Sequence, residues 1–179
     1  MSMPPKPDFQ AMLEVLGNHG VEFIVIGGVS AVLNGAEVAT WDLDIVHKRA
    51  PDNLPRLLAA LEELDAYYRE PGDRRLRPKL SHLGGGGHCL FRTSRGDLDV
   101  LGSVVGDRVY ESLLPHTFTS WVTTTTQARI LDLPTLIQIK QATNREKDRA
   151  VLPVLEETLA QQRSAQGQAT IRPETKDPP

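Results

Sequence analysis

The chain has 179 residues, a length that suits one domain or a domain with a small appendage, and its 40% of apolar residues are enough for a core. Its net charge of −3 excludes a global attraction to nucleic acid or to an acidic membrane, although a local basic patch remains compatible with it. The single cysteine, Cys89, excludes an internal disulfide framework, and no apolar run approaches the roughly 20 residues that span a bilayer, so we expect a cytoplasmic protein.

The first half of the chain alternates patterns that are typical of helices and of buried strands. Residues 1–7 are polar and proline-rich, lack the apolar core of a signal peptide, and are expected to form a flexible leader. Apolar residues at helical spacing predict a helix over 9–16, and the β-branched run over 21–26 predicts a buried strand. Beyond these we expect a short helix over 29–33, a strand over 40–47, and a helix over 51–68 with one stripe of leucines.

The second half begins with a loop-like segment over 69–87 and then returns to regular patterns. Two strand patterns joined by a three-residue turn predict a hairpin over 88–101. The remaining expected elements are a short helix over 110–114, strand-like segments over 119–126 and 128–131, helices over 134–143 and 146–163, and a polar, disordered tail over 164–179. This order predicts one α/β (α+β) domain over 8–163, with a small mixed or antiparallel sheet flanked by helices.

Two aspartates within one predicted strand carry the strongest chemical signal. Alternation places Asp42 and Asp44 on the same face, about 7 Å apart along the strand at roughly 3.3 Å per residue. Paired carboxylates repel each other, and a hard cation such as Mg²⁺ relieves that repulsion. If the strand over 98–101 is a near neighbour, Asp99 completes a three-carboxylate cluster that can hold two metal ions. Asp97 competes for this third place, and Asp99 is favoured because its apolar neighbours place it within the strand.

A glycine pair precedes these carboxylates at the end of the first buried strand. Gly27 and Gly28 have no side chains, so their backbone N–H groups can approach a phosphate at the start of the following helix. Ser30 lies close enough in the sequence to add a hydroxyl donor. The sequence therefore predicts phosphates between the glycine pair and the metal ligands.

Together these motifs resemble the polymerase-β-type nucleotidyltransferase superfamily. The resemblance rests on Ile26-Gly27-Gly28, then Thr40-Trp41-Asp42-Leu43-Asp44-Ile45, and a later Leu98-Asp99-Val100. The closing segment with Lys140, Arg145 and Lys147-Asp148 is similar to the small bacterial branch that includes the AbiEii-type toxins of toxin–antitoxin systems. The similar region covers roughly residues 20–157.

The resemblance implies an activity and a role for each matching residue. It implies Mg²⁺-dependent transfer of NMP from an NTP, with ATP among the candidates, to a hydroxyl group of tRNA or another RNA, a protein or a small molecule. It also implies an antitoxin as a partner. The implied metal ligands at a two-ion site are Asp42, Asp44 and Asp99, and the implied phosphate-binding residues are Gly27, Gly28, Ser30, Lys140 and Lys147.

Three positions leave alternatives open. Relatives often have an arginine where this chain has Val38, and without that cation the protein could be a catalytically decayed member that binds a nucleotide or a partner protein. The basic run over 69–79 is either a solvated loop or a contact for phosphate groups. Trp41 could stack on a base, although core packing is the favoured interpretation.

Overall fold

The computed structural model describes residues 6–69 and 75–170, with side chains up to residue 167. Most of the expected leader and residues 171–179 of the expected tail lie outside this range, as do residues 70–74 of the loop-like segment. Within the described part, no helix combines the length and the apolar character needed to cross a membrane.

Seven strands form one mixed sheet in the order β3-β4-β5-β2-β1-β7-β6. Strand β1 pairs antiparallel with β2 and parallel with β7, and β2 pairs parallel with β5. The outer pairs β3–β4, β4–β5 and β6–β7 are antiparallel. The strand bounds are β1 Phe23–Ile26, β2 Asp42–His47, β3 Tyr67–Tyr68, β4 His88–Thr93, β5 Gly96–Leu101, β6 Thr117–Trp121 and β7 Gln127–Leu131.

Helices cover both faces of this sheet, which confirms the predicted α/β class with a mixed, helix-flanked sheet. Two cores result: one unites the sheet with α1 and α3, and the other unites the opposite face with α2, α5, α6 and α7. The helix bounds are α1 Phe9–Asn18, α2 Gly27–Leu33, α3 Asn53–Glu63, α4 Leu80–Leu83, α5 Tyr110–Leu113, α6 Leu133–Thr143 and α7 Glu146–Thr170, and a 3₁₀ turn spans Leu114–His116.

Several element boundaries differ from the sequence prediction. The helix expected over 51–68 ends at Glu63, because Asp65 adopts a positive φ of 54° and the chain then turns into β3. The short helix α4 forms inside the segment that was predicted to be a loop. Helix α7 continues to Thr170 rather than ending near 163, so residues 164–170 are helical.

Strand alternation explains why the aspartates face the second core. In β2 and β5, Leu43, Ile45, Leu98 and Val100 point into the core that contains α1 and α3. The intervening positions form the other face, where Val46 and Leu101 are packed beneath helices. Asp44 and Asp99 lie on that same face, two residues before Val46 and Leu101, and the parallel register places them side by side. This face of the sheet is therefore apolar at Val46 and Leu101, which pack against helices, and acidic at Asp44 and Asp99.

Candidate active site

Three carboxylates from two neighbouring strands converge on the sheet face just described. The register places Asp42 beside Asp97 and Asp44 beside Asp99. One oxygen from each of Asp42, Asp44 and Asp99 lies within 4.8 Å of the others. The cluster that the sequence predicted therefore forms, and Asp99 rather than Asp97 is its third member.

The preference for Asp99 has a different cause from the one inferred from the sequence. Both aspartates lie within β5, so position in the strand does not separate them. Asp97 instead accepts hydrogen bonds from Arg69 at 2.8 Å and from Nε of Arg92 at 3.0 Å. Arg69 also contacts Asp99, so the contact that separates the two aspartates is the additional pairing of Asp97 with Arg92.

The donor set fits a hard divalent cation. Carboxylate oxygens are the ligands that Mg²⁺ prefers, and it binds them at about 2.0–2.1 Å, so two oxygens on opposite sides of one ion are about 4.2 Å apart. The three carboxylate oxygens lie within 4.8 Å of one another, so they are close enough to approach a common ion. Asp42, Asp44 and Asp99 could therefore hold a metal.

Burial, together with repulsion between these carboxylates, raises the pKa of two of them. Burial, and then the charges of Asp42 and Asp99, raise the pKa of Asp44 from 3.8 to about 7, although Lys147 and Lys140 oppose the shift. Burial also raises the pKa of Asp99 to about 6, against the lowering effect of Arg69. At neutral pH, ionisation of the metal-free cluster therefore costs free energy, and a bound cation would offset that cost by neutralising the negative charge.

The glycine pair makes room for the carboxylate region. Gly27 has a φ of 65°, and a Cβ atom there would overlap Oδ2 of Asp44 and lie 2.8 Å from its Cγ. A Cβ atom on Gly28 would lie 2.5 Å from the Cβ of Thr40. Thr40 in turn donates a hydrogen bond to the carbonyl of Asp42 at 3.1 Å. Both glycines begin α2, so they let this helix approach the acidic strand closely.

A cavity of about 430 Å³ adjoins the carboxylates, a size typical of small-ligand sites. Asp42, Asp44 and the two glycines lie on its wall, together with apolar residues of α2, α6 and α7. Lys140, Arg145 and Lys147 bring three cationic side chains to the same cavity. Within the described part of the chain, Arg145 and Lys147 form no ion pair, so their charges are available to an anionic ligand.

Two of the predicted phosphate-binding side chains have other partners. Ser30 is fully buried, and its hydroxyl donates to the carbonyl of Leu131 at 2.9 Å, so the structure does not bring it to the cavity. Lys140 donates to Asp148 at 2.9 Å, and Asp148 also accepts from Thr143 at 2.7 Å. Asp148 thus links α6 to α7 at the cavity wall.

Three further residues at the site were missed or misassigned at the sequence level. Trp41 is 66% exposed and lines the cavity, so the core-packing interpretation was wrong. Arg145 had no assigned role, although its charge lies in the cavity wall. Arg69 was treated as part of a basic loop, yet it bridges Asp97 and Asp99.

The fold is shared with a solved structure. A protein from Thermotoga maritima, described as a "putative nucleotidyltransferase", aligns over 83% of this chain and 91% of its own, with a TM-score of 0.52 and 16% sequence identity. At this identity the likeness establishes the nucleotidyltransferase-like fold alone. No family model matches the sequence, and no curated protein matches it either.

Proposed function

We propose that this protein is a metal-dependent nucleotidyltransferase that moves NMP from an NTP onto a hydroxyl group of an acceptor. The observation that carries the proposal is the triad of Asp42, Asp44 and Asp99 beside a cavity of nucleotide-compatible size. The shared fold with the Thermotoga maritima protein supports the same reaction class. Magnesium, with two ions expected, would supply activation of the attacking hydroxyl and neutralisation of the departing pyrophosphate.

The residues divide the work between metal binding, proton transfer and phosphate binding. Asp42 and Asp44 would hold the metal against the triphosphate. Asp99 would ligate the metal and accept the proton of the attacking hydroxyl. The hydroxyl oxygen would form a bond to the α-phosphorus as the bond to pyrophosphate breaks. The backbone of Gly27 and Gly28 would lie along the phosphates.

Arg145 and Lys147 would supply the positive charge that Val38 cannot provide. Arg145 and Lys147 stand at the start of α7, and Lys147 already lowers the pKa of Asp44 and Asp99 through its charge. Lys140 contributes less because Asp148 neutralises it. Because these cationic side chains line the same cavity as Val38, the missing arginine at position 38 does not favour a decayed protein, and we propose that Arg145 and Lys147 bind the triphosphate.

The decisive experiment is label transfer from NTPs that carry the label on the α-phosphate. Protein, Mg²⁺, each NTP in turn and a cell extract containing RNA, proteins and small molecules would be incubated together. We expect label on one acceptor class, with a loss of more than about 100-fold in Asp42→Asn/Asp44→Asn, because even changes to groups that support metal ligands cost about 10–100-fold in metal affinity. The class that receives the label identifies the acceptor and tests the toxin role that the resemblance implies.

Asp97→Asn is the matched control, since it removes a neighbouring carboxylate that does not belong to the triad. Transfer that persists in the double variant would contradict the proposal. Tight NTP binding by the wild type, without transfer to any acceptor, would favour the nucleotide-binding protein without catalysis.

Trp41 offers a second test, because an exposed indole on the cavity wall can stack on a nucleobase. We expect NTP to change the tryptophan fluorescence, and Trp41→Ala to weaken binding by about 1–3 kcal/mol, the range known for a base stacked on an aromatic side chain. Trp121, which is 62% exposed on β6, contributes only a background signal. The signal should survive in Trp121→Phe and disappear in Trp41→Phe; the reverse result would place the nucleotide elsewhere.

A further inference from the structure

Arg69 forms a bridge between the metal-ligand triad and the neighbouring carboxylate of Asp97. Its Nη1 donates to Oδ2 of Asp97 at 2.8 Å, and its Nη2 donates to Oδ1 of Asp99. The Arg69 side chain is 22% exposed and that of Asp99 is 13% exposed, so water screens this pair only in part. One oxygen of a triad carboxylate is therefore engaged by a fixed cation.

The backbone holds Arg69 in a position to make this contact. Strand β3 pairs with β4, and the N–H of Arg69 extends that pairing by donating to the carbonyl of Leu90 at 2.9 Å. Leu90 stands directly opposite Asp99 in the next pair of strands. The arginine therefore reaches across β4 to β5 from a hydrogen-bonded position rather than from a free loop.

Asp97 does not depend on Arg69 alone. Arg92 donates to it through Nε at 3.0 Å and through Nη2 at 3.5 Å. Asp99, by contrast, accepts hydrogen bonds from no described residue other than Arg69. Removal of the Arg69 charge would thus leave Asp97 paired and would change the electrostatics mainly at Asp99.

We propose that Arg69 is a positioning residue that sets the metal affinity of the site. It holds Oδ1 of Asp99, leaves Oδ2 for a cation, and opposes that cation with its own positive charge. The affinity of the triad for a divalent ion is therefore lower than three carboxylates alone would give, which favours exchange of the metal with each nucleotide. This inference rests on the proposed function, because it takes the triad to be a metal site.

The test measures Mn²⁺ binding directly, through the electron paramagnetic resonance signal of the free ion, in the absence of nucleotide. Arg69→Gln keeps a hydrogen-bond donor and removes the charge, so we expect its Mn²⁺ dissociation constant to fall on the order of tenfold, the effect of one charge a few ångströms away. Arg69→Lys keeps the charge and should stay close to the wild type. Arg92→Gln is the matched control, since it loses a guanidinium that touches Asp97 but not Asp99.

The possible results are distinguishable. Tighter Mn²⁺ binding in Arg69→Gln alone supports the inference, and a purely structural role would not produce it. Equal or weaker binding in Arg69→Gln, with a wild type that binds Mn²⁺, overturns the inference and leaves the proposed function standing. No Mn²⁺ binding by either protein overturns both. If Arg69→Gln lacks a cooperative melting transition, Arg69→Met removes the charge while keeping the aliphatic stem.

Discussion

Asp44→Asn is expected to abolish nucleotidyl transfer and, at the same time, to stabilise the metal-free protein. The variant removes one of the three proposed metal ligands, so activity should fall by more than about 100-fold. It also removes a carboxylate whose ionisation is opposed by burial and by Asp42 and Asp99. Loss of function with a gain in stability is the result typical of a charged functional group, and it separates Asp44 from a merely structural residue.

The gain in stability from Asp44→Asn should increase as the pH rises. The pKa of Asp44 is about 7 in the folded protein and near 3.8 when it is unperturbed. Between these values the folded state binds a proton that the unfolded state has lost, so the free energy of unfolding falls as the pH rises. At about 1.4 kcal/mol per pKa unit, the advantage of Asp44→Asn should grow by on the order of 2 kcal/mol or more between pH 5 and pH 8.

Urea unfolding in the presence of a chelator measures this difference at both pH values. Comparing the variant with the wild type at each pH cancels groups that do not interact with Asp44, such as His47, whose buried imidazole has a lowered pKa and shifts stability the opposite way. Added Mg²⁺ should raise the melting temperature of the wild type at pH 8 and leave that of Asp44→Asn unchanged. An equal difference in stability between the variant and the wild type at pH 5 and pH 8 would contradict the raised pKa of Asp44.

Asp97→Asn, on the same face of the sheet, is a control that should change stability in the opposite direction to Asp44→Asn. Burial raises the pKa of Asp97, but hydrogen bonds from Arg92 and Arg69 outweigh it, and the net pKa lies below 3.8. Its ionised form therefore stabilises the fold above that pH, so Asp97→Asn should lower stability at both pH 5 and pH 8. Because Asp97 is not in the triad, the stabilisation by Mg²⁺ should persist.

The triad was predictable because its information is local. An alternation of period two puts Asp42 and Asp44 on one face whatever else the chain does, and apolar flanks mark Asp99 as part of a second strand. The one assumption beyond local pattern was that β2 and β5 are neighbours. The parallel register between them confirms it.

Arg69 could not be assigned because its partners lie 28 and 30 residues further along the chain. Its position depends on β3, a strand of only Tyr67 and Tyr68, which extended the apolar pattern of the preceding helix. The pairing of Tyr68 with Phe91 overrides that local preference, and their rings pack 4.7 Å apart. A two-residue strand formed by tertiary contacts leaves no periodic signal to read.

For Trp41, the residue type and its apolar neighbours led to a wrong prediction of burial. A tryptophan beside a strand of apolar residues is more often in a core than in solvent. Here the strand begins only at Asp42, and residues 38–41 before it line the cavity. The exposure of the indole therefore depends on the path of that segment, which no local pattern specifies.

Gly27→Ala is expected to disrupt both the fold and the proposed metal site through one methyl group. The φ of 65° alone costs about 1–2 kcal/mol for a residue with a side chain. The added Cβ would also overlap the Asp44 carboxylate, so either α2 or Asp44 must move. Asp44 stands opposite Ile26 in the register between β1 and β2, which prevents a simple shift along the strand. We therefore expect a loss of stability well beyond the backbone cost, together with loss of the Mg²⁺ response.

Gly106→Ala isolates the backbone contribution, because Gly106 has a similar φ of 74° and a Cβ atom there would have no neighbour within 4 Å. Thermal unfolding with and without Mg²⁺ compares the two variants. At about 2–4 °C per kcal/mol for a chain of this size, Gly106→Ala should lose only a few degrees and keep its Mg²⁺ response. Similar melting temperatures and equal Mg²⁺ responses in both variants would show that Asp44 tolerates the added methyl group. Gly27 would then serve the backbone turn, or the phosphates, rather than the carboxylate that lies against it.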